Sequence, residues 1–489
     1  MSKASAILGL FVGLLVFCDA ASAGIWPEMG DAQTRSDMEM AIAAGLLDNI
    51  ATQGPQPWTG MLGKLQDQSD VASQSDIVRG AKARLLATGT ADLDLHRPHL
   101  ATRIDVASDT AVVRGYDGLG RSQAEAQVTY EYLATDTALH LSVGARKSSA
   151  SDRQTLMLDG SYIAGRFGGI VVYTGFVPHW WGPGWISGMN LSTNARPMPQ
   201  IGVTRVHSTP SDWLLFSWLG PWQFDGFVGL LDGPRLARNT AYIAMHFAFS
   251  PLPGFEVGLA RTTEMCGSGH PCQPLTEYFT FSNDNQHINQ VNEEASIELR
   301  YTNVLFAHPF ALYAQFMNED SNPIIHSGTS RLYGGTVWFP VDRFTGRLTL
   351  EYANSIPTTD IFTGPAIHGF AYNNGGYPDG MRYRGQTLGF SLDSDSVLYS
   401  VQAAVNDALG RSITLTYHRA LVSNPANHWG SIVTTAPVRF NAFELRGAAP
   451  VPWDEYRAKL DVALRWQDDQ PRPQHGGQVS IEAALRVGI

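Results

Sequence analysis

LDVALRW, residues 460–466, alternates from one residue to the next. Leu460, Val462, Leu464 and Trp466 fall on one face, and Asp461 and Arg465 on the other. A period of two marks a β-strand, whose successive side chains point to opposite sides of the sheet. The pattern recurs. Leu139, Leu141 and Val143 alternate with His140, Ser142 and Gly144; Ile297, Leu299 and Tyr301 with Glu298 and Arg300. Leu348, Leu350 and Tyr352 alternate with Arg347, Thr349 and Glu351; Ile413, Leu415 and Tyr417 with Thr414, Thr416 and His418. The apolar face repeatedly ends on Tyr or Trp. A strand that meets lipid outside and a polar lumen inside needs that design, with aromatic rings at the lipid–water boundary. A soluble β-sandwich alternates too, but its outer face needs no aromatic ends. The expected fold is an all-β transmembrane barrel.

Outward from these strands, the chain divides into three. Residues 1–23 read as a secretory signal peptide: Lys3, the apolar run Ala6–Phe17, and the cleavage signal Ala21-Ser22-Ala23. The bulky Phe17 ahead of Cys18 argues against lipidation there. Residues 24–110 read as a small α-helical periplasmic or plug segment. Ser36 and Glu39 have capping-box spacing, followed by Met38, Ile42 and Leu46 at helical intervals. Trp58, Met61, Leu62 and Leu65 form a second stripe. Ser75 is a candidate cap for a third helix, with Ile77, Val78, Ala81 and Leu85 on one face and Gly89 as its stop. Residues 111–489 remain for the barrel. At about 10 residues per strand and as many again per connection, they supply about 18 antiparallel strands. An even number returns both chain ends to the periplasm. No apolar run after the leader reaches the roughly 20 residues of a membrane helix.

The charge balance is −11, and the chain holds five lysines, none between Lys147 and Lys459. Nucleic acid is not an expected partner. There is no G-x-S-x-G elbow, H-E-x-x-H pair or phosphate loop, so no catalytic residue, cofactor or metal ligand is nominated. Cys266 and Cys272 in CGSGHPC suit a disulfide in an oxidising compartment. Metal binding through both thiols and His270 is the alternative reading.

One stretch breaks the alternation: GFVPHWWGPGWISGMNLSTNARPMPQIGVTR, residues 175–205. Trp180, Trp181 and Trp185 surround Gly182-Pro183-Gly184, a fixed tight turn. Indoles can stack on the C–H faces of sugars, and they can equally anchor a barrel at the lipid boundary. Asn194, Arg196 and Arg205 follow as candidate hydrogen-bond donors, and arginine's fork suits carboxylates. Glu319 with Asp320, and Tyr383 with Arg384, are further candidates; a barrel-wall salt bridge is the alternative for each.

This stretch resembles the Wzi family of capsule assembly proteins, with W-W-G-P-G followed by N-A-R-P, although Thr193 stands where the family pattern has Asn. Leu219–Asp232, Pro251–Arg261, Leu312–Asp320 and Asn373–Ser396 are similar to family segments in the same order. Gly45-Leu46-Leu47 and Pro57-Trp58 resemble the family's N-terminal helices. The C-terminal Ile489 departs from the Phe or Trp common in outer-membrane barrels. The resemblance implies an 18-stranded outer-membrane lectin that holds capsular polysaccharide and neither cuts nor makes it. Expected partners are a capsular or other surface polysaccharide and outer-membrane lipids, with a monomeric chain. A saccharide or solute porin is the runner-up, and an outer-membrane hydrolase with a Ser–His–Asn set is a third reading. Unheated and boiled samples in mild detergent should migrate differently on a gel, as membrane barrels do. Recovery from the periplasm without detergent would refute the barrel.

Overall fold

The computed structural model describes residues 24–488 except 49, 68–73, 150–151, 273–290, 320–327, 361, 424–430, 435, 454–455 and 471–476. The expected leader at 1–23 and Ile489 lie outside the described residues. Eighteen antiparallel strands close into a barrel. They are β1 (Pro98–Ala107), β2 (Ala124–Leu133), β3 (Thr137–Arg146), β4 (Tyr162–Phe167), β5 (Ile170–Gly175), β6 (Gln200–Arg205), β7 (Trp222–Leu231), β8 (Thr240–Leu252) and β9 (Phe255–Met265). Then follow β10 (Asn292–Leu305), β11 (His308–Glu319), β12 (Thr329–Val341), β13 (Phe344–Thr358), β14 (Val397–Asn406), β15 (Ser412–Val422), β16 (Val438–Trp453), β17 (Tyr456–Gln470) and β18 (Gln478–Gly488). No helix among the described residues is long and apolar enough to cross a membrane.

The alternation at 460–466 means what it promised. On β17, Leu464 is 47% exposed and Trp466 39%, whereas Asp461 is 4% and Arg465 9%. Apolar side chains face outward and charged ones are buried, the reverse of a soluble domain. Lipid takes the place of water on the outer face.

The sheet starts earlier than the boundary expected at 111. β1 pairs with β18, from Ala101 opposite Gly488 to Ala107 opposite Glu482, and closes the barrel. Its residues alternate, with Ile104 and Val106 exposed and Asp105 buried. The run is short and carries His99, Arg103 and Asp105, so its period of two is diluted.

Among the described residues, three α-helices fill the end of the barrel where β18 finishes: α1 (Ala32–Ala43), α2 (Trp58–Asp67) and α3 (Asp76–Asp92). The expected capping box does not form. Asp31 caps α1, its carboxylate accepting from the Gln33 and Thr34 amides. Ser36 and Glu39 lie inside the helix and serve the wall: Ser36 Oγ accepts from Trp338 Nε1 at 2.8 Å, and Glu39 pairs with Arg300 at 3.2 Å. Trp58, Met61, Leu62 and Leu65 are all buried, as their spacing predicts. Ser75 occupies the N-cap position of α3 without a side-chain cap bond. Gly89 does not stop α3. A Cβ there would lie 2.7 Å from the Trp58 ring, so its smallness lets α2 and α3 pack closely.

From the opposite end, the connections 108–123 and 176–199 fold inward and meet this plug. Gln53–Gly54 forms a two-residue antiparallel ladder with Trp180–Trp181. Wall carboxylates clamp the seam. Glu256 accepts from the amides of Ala51 and Thr52, both at 2.9 Å. Glu351 accepts from the amides of Trp185 at 2.8 Å and Ile186 at 3.2 Å. Gln315 accepts from the Met189 amide at 3.0 Å and donates to Glu298 at 3.1 Å. Gly182 has φ 115°, and a Cβ there would meet the Gln315 amide at 2.8 Å. The tight turn therefore needs glycine for both conformation and space.

Because plug and inward loops fill the lumen, the intact protein should conduct little in a planar bilayer. Deleting residues 24–97 should raise conductance. Glu351→Ala strands two buried amides, each at about 1–3 kcal/mol, and should make the plug more sensitive to protease. High steady conductance of the intact protein would contradict this packing.

Candidate functional site

The connections at 134–136, 168–169, 253–254, 306–307 and 342–343 are tight turns at the end of the barrel where β18 finishes. Bacterial barrels place such turns in the periplasm and longer loops outside. The described residues of the loops 108–123, 147–161, 232–239, 359–396 and 423–437 therefore lie at the outer mouth. Together they line a cavity of about 1120 Å³.

Five arginines line it: Arg114, Arg153, Arg235, Arg382 and Arg384, with Asp109, Asp152, Asp379 and Tyr383 among them. A small hairpin carries three of these residues. Arg382–Tyr383 pairs with Gln386–Thr387, and the two residues between them, Arg384 and Gly385, have φ values of 51° and 77°. Two left-handed central residues make the primed turn that suits a two-residue hairpin. Glycine adopts that conformation freely; arginine does not, so its neighbours must hold it. Arg384 reaches Asp152 at 3.1 Å and Asp232 at 2.9 Å. Arg382 forks onto Asp393 at 2.9 and 3.1 Å and also meets Asn373 at 2.8 Å. Arg235 pairs with Glu264 at 2.8 Å. The cations are thus oriented from behind, and Arg153 stands exposed among them.

Burial raises the Tyr383 phenol above its ordinary value, and Asp232 adds to the shift. Burial also acts to raise Asp152. Hydrogen bonds from Arg146 and the Gln154 amide, with the charges of Arg146 and Arg384, outweigh it and hold the carboxyl below its usual range. Asp152 therefore stays ionised beside Arg384.

Of the residues nominated from the sequence, Tyr383 and Arg384 line the cavity. The tryptophans do not. Trp180, Trp181 and Trp185 are 3%, 0% and 2% exposed, inside the lumen and away from lipid. Their faces are already occupied. Arg347 lies 3.5 Å from the Trp185 ring centroid and Arg35 4.4 Å from it. Trp181 Nε1 donates to Asp225 at 3.3 Å, and its ring packs with His179, Phe227 and His246. The N-A-R-P segment works from beneath. Asn194 donates to the Thr387 carbonyl at 2.8 Å, bracing the cavity hairpin. Arg196 bridges Glu125 and Asp159 and donates to Ser122.

Arg205 lies at the other end of the barrel, its guanidinium 3.6 Å from the Trp222 ring centroid. Strand direction decides this, because β6 runs from the outer side to the periplasm. Glu319 is buried at the outer end of β11 and does not line the cavity, and Asp320 lies outside the described residues. Cys266 and Cys272 form a disulfide, and His270 stacks on Tyr377 at 4.1 Å. Arg114, Arg153, Arg235 and Arg382 carried no signal beyond being arginines, since four loops distant in sequence bring them together.

The family described as Capsule assembly protein Wzi matches residues 97–469. The chain belongs to that family. Its fold is similar to that of Wzi of Escherichia coli, an outer-membrane protein described as a carbohydrate-binding β-barrel involved in group 1 capsule assembly. The TM-score is 0.79 at 17% identity, covering 94% of this chain and 98% of that one. An uncharacterized 55.8 kDa protein in cps region of Klebsiella pneumoniae is 26% identical over 184 residues, which is 36% of this chain and 36% of that relative. The chain is an outer-membrane β-barrel.

Trp181→Ala should destabilise this Wzi-family barrel by about 3–5 kcal/mol, as removal of a buried aromatic does. The temperature at which the unheated form converts to the unfolded form on a gel should fall. Conversion at the wild-type temperature would show that this ring does not anchor the seam.

Proposed function

We propose that the chain binds capsular polysaccharide at its outer mouth and holds it at the cell surface without chemical change. One observation carries this reading: a cavity of about 1120 Å³, open at the outer end and lined by five arginines, of which Arg235, Arg382 and Arg384 are held in place by carboxylates behind them. Small-molecule pockets usually span roughly 300–1,000 Å³, so this one suits several linked sugars better than one. Its lining is more cationic than aromatic, with Tyr383 the aromatic side chain present. Forked donors favour carboxylates and hydroxyls, so the favoured ligand is an acidic polysaccharide. Membership of a capsule assembly family supports the same reading. The filled lumen favours holding the polymer over passing it through.

Purified protein should bind an acidic capsular polysaccharide more tightly than neutral dextran. Arg153→Ala and Arg384→Ala should each weaken that binding about tenfold, since a charge-assisted hydrogen bond contributes about 1.5–3 kcal/mol. Both variants should keep the gel shift between unheated and boiled samples. Wild-type affinity in both variants, with the fold intact, would remove the cavity from the binding role.

A further inference from the structure

The connection 206–221 is the long one at the periplasmic end of the barrel. Its tip reads WLLFSWL, residues 213–219, in which Ser217 is the one polar side chain. Leu219 turns inward and is buried. The others point away from the protein: Leu214 is 88% exposed, and Trp213, Leu215, Phe216 and Trp218 are exposed with it. A soluble protein rarely offers so much apolar surface in one place without a partner.

Two observations say what covers it. First, the patch continues the lipid-facing belt of the barrel wall. Trp218 packs edge-on against Phe249, and Trp222 packs against Phe247; both phenylalanines lie on the outward face of β8. At the neighbouring turns, Leu252 and Phe306 are also exposed. Second, the loop bonds part of its polar backbone within itself. The Phe216 amide donates to the Trp213 carbonyl at 2.9 Å, and the Leu219 amide to the Phe216 carbonyl at 3.1 Å. Ser217 Oγ donates to the Leu214 carbonyl at 3.0 Å. A segment that enters lipid must satisfy its backbone internally, because hydrocarbon offers no partner. Tryptophans at the edge of a patch with leucines at its centre are the composition of an interfacial anchor.

We propose that Trp213–Trp218 inserts into the phospholipid leaflet that faces the periplasm, as an in-plane anchor attached to one side of the barrel. This is independent of the carbohydrate reading. The anchor adds contact with lipid beside β6 and β7, the two strands it connects. It also lies near the plug, because Ser208 at the base of the same loop donates to Asp48 at 2.9 Å.

The test uses the whole barrel with its plug in vesicles of phosphatidylethanolamine and phosphatidylglycerol. Leu214→Cys is labelled with bimane in the chain without the leader residues 1–23, which removes Cys18, while Cys266 and Cys272 are joined to each other. Nitroxide-bearing phospholipid should quench the label strongly. Aqueous iodide should quench it several-fold less than in the urea-unfolded protein. Leu215→Cys gives the same readout if the first variant fails to insert. Strong iodide quenching with no nitroxide effect, in a barrel that keeps its gel shift, would mean that the loop stands in the periplasm as a face for another protein, and would overturn the proposal.

Discussion

Everything inside this barrel depends on charged wall side chains finding partners in the polypeptide that fills the lumen. The outer face must be apolar to meet lipid, so the strands' polar residues point inward. A buried charge without a partner costs several kcal/mol. A porin answers that demand with water. Here protein does so. Glu256 and Glu351 take backbone amides, Asp225 takes His179 at 2.9 Å and Trp181 Nε1, and Arg300 takes Glu39. The wall therefore specifies its plug. The tryptophan turn is the piece it grips, because a glycine-bounded turn exposes its amides in one fixed direction.

That grip extends upward to the mouth. The turn leads into Asn194 and Arg196, and these hold the loops from which the cavity is made. Asn194 supports Thr387, on the hairpin that carries Arg382, Tyr383 and Arg384. The disulfide-closed loop adds a second brace, since the Tyr377 hydroxyl donates to the Cys266 carbonyl at 3.0 Å and His270 stacks on its ring. Loops held this way lose little freedom when a ligand arrives, which favours binding by a wide, polar surface. The most recognisable motif in the chain thus lies one layer away from the surface it supports.

The sequence by itself determined the barrel. Alternation with aromatic ends is a local property, and each strand declares its two faces without reference to the others. Residues 460–466 placed Asp461 and Arg465 inside and Leu464 and Trp466 outside, and β17 has them so. The amphipathic stripes of α2 and α3 were legible for the same reason. Local signals failed where a partner far along the chain decides. β1 falls within the segment read as helical until β18 needs a neighbour. Ser36 and Glu39 read as a cap until Trp338 and Arg300 claim them. Gly89 reads as a stop until Trp58 lies against it. The tryptophans read as rings for sugar or for the lipid boundary, and only the closed lumen buried them against protein instead. The cavity is the extreme case. Its arginines come from four loops that share no spacing, and barrel closure alone brings them to one mouth.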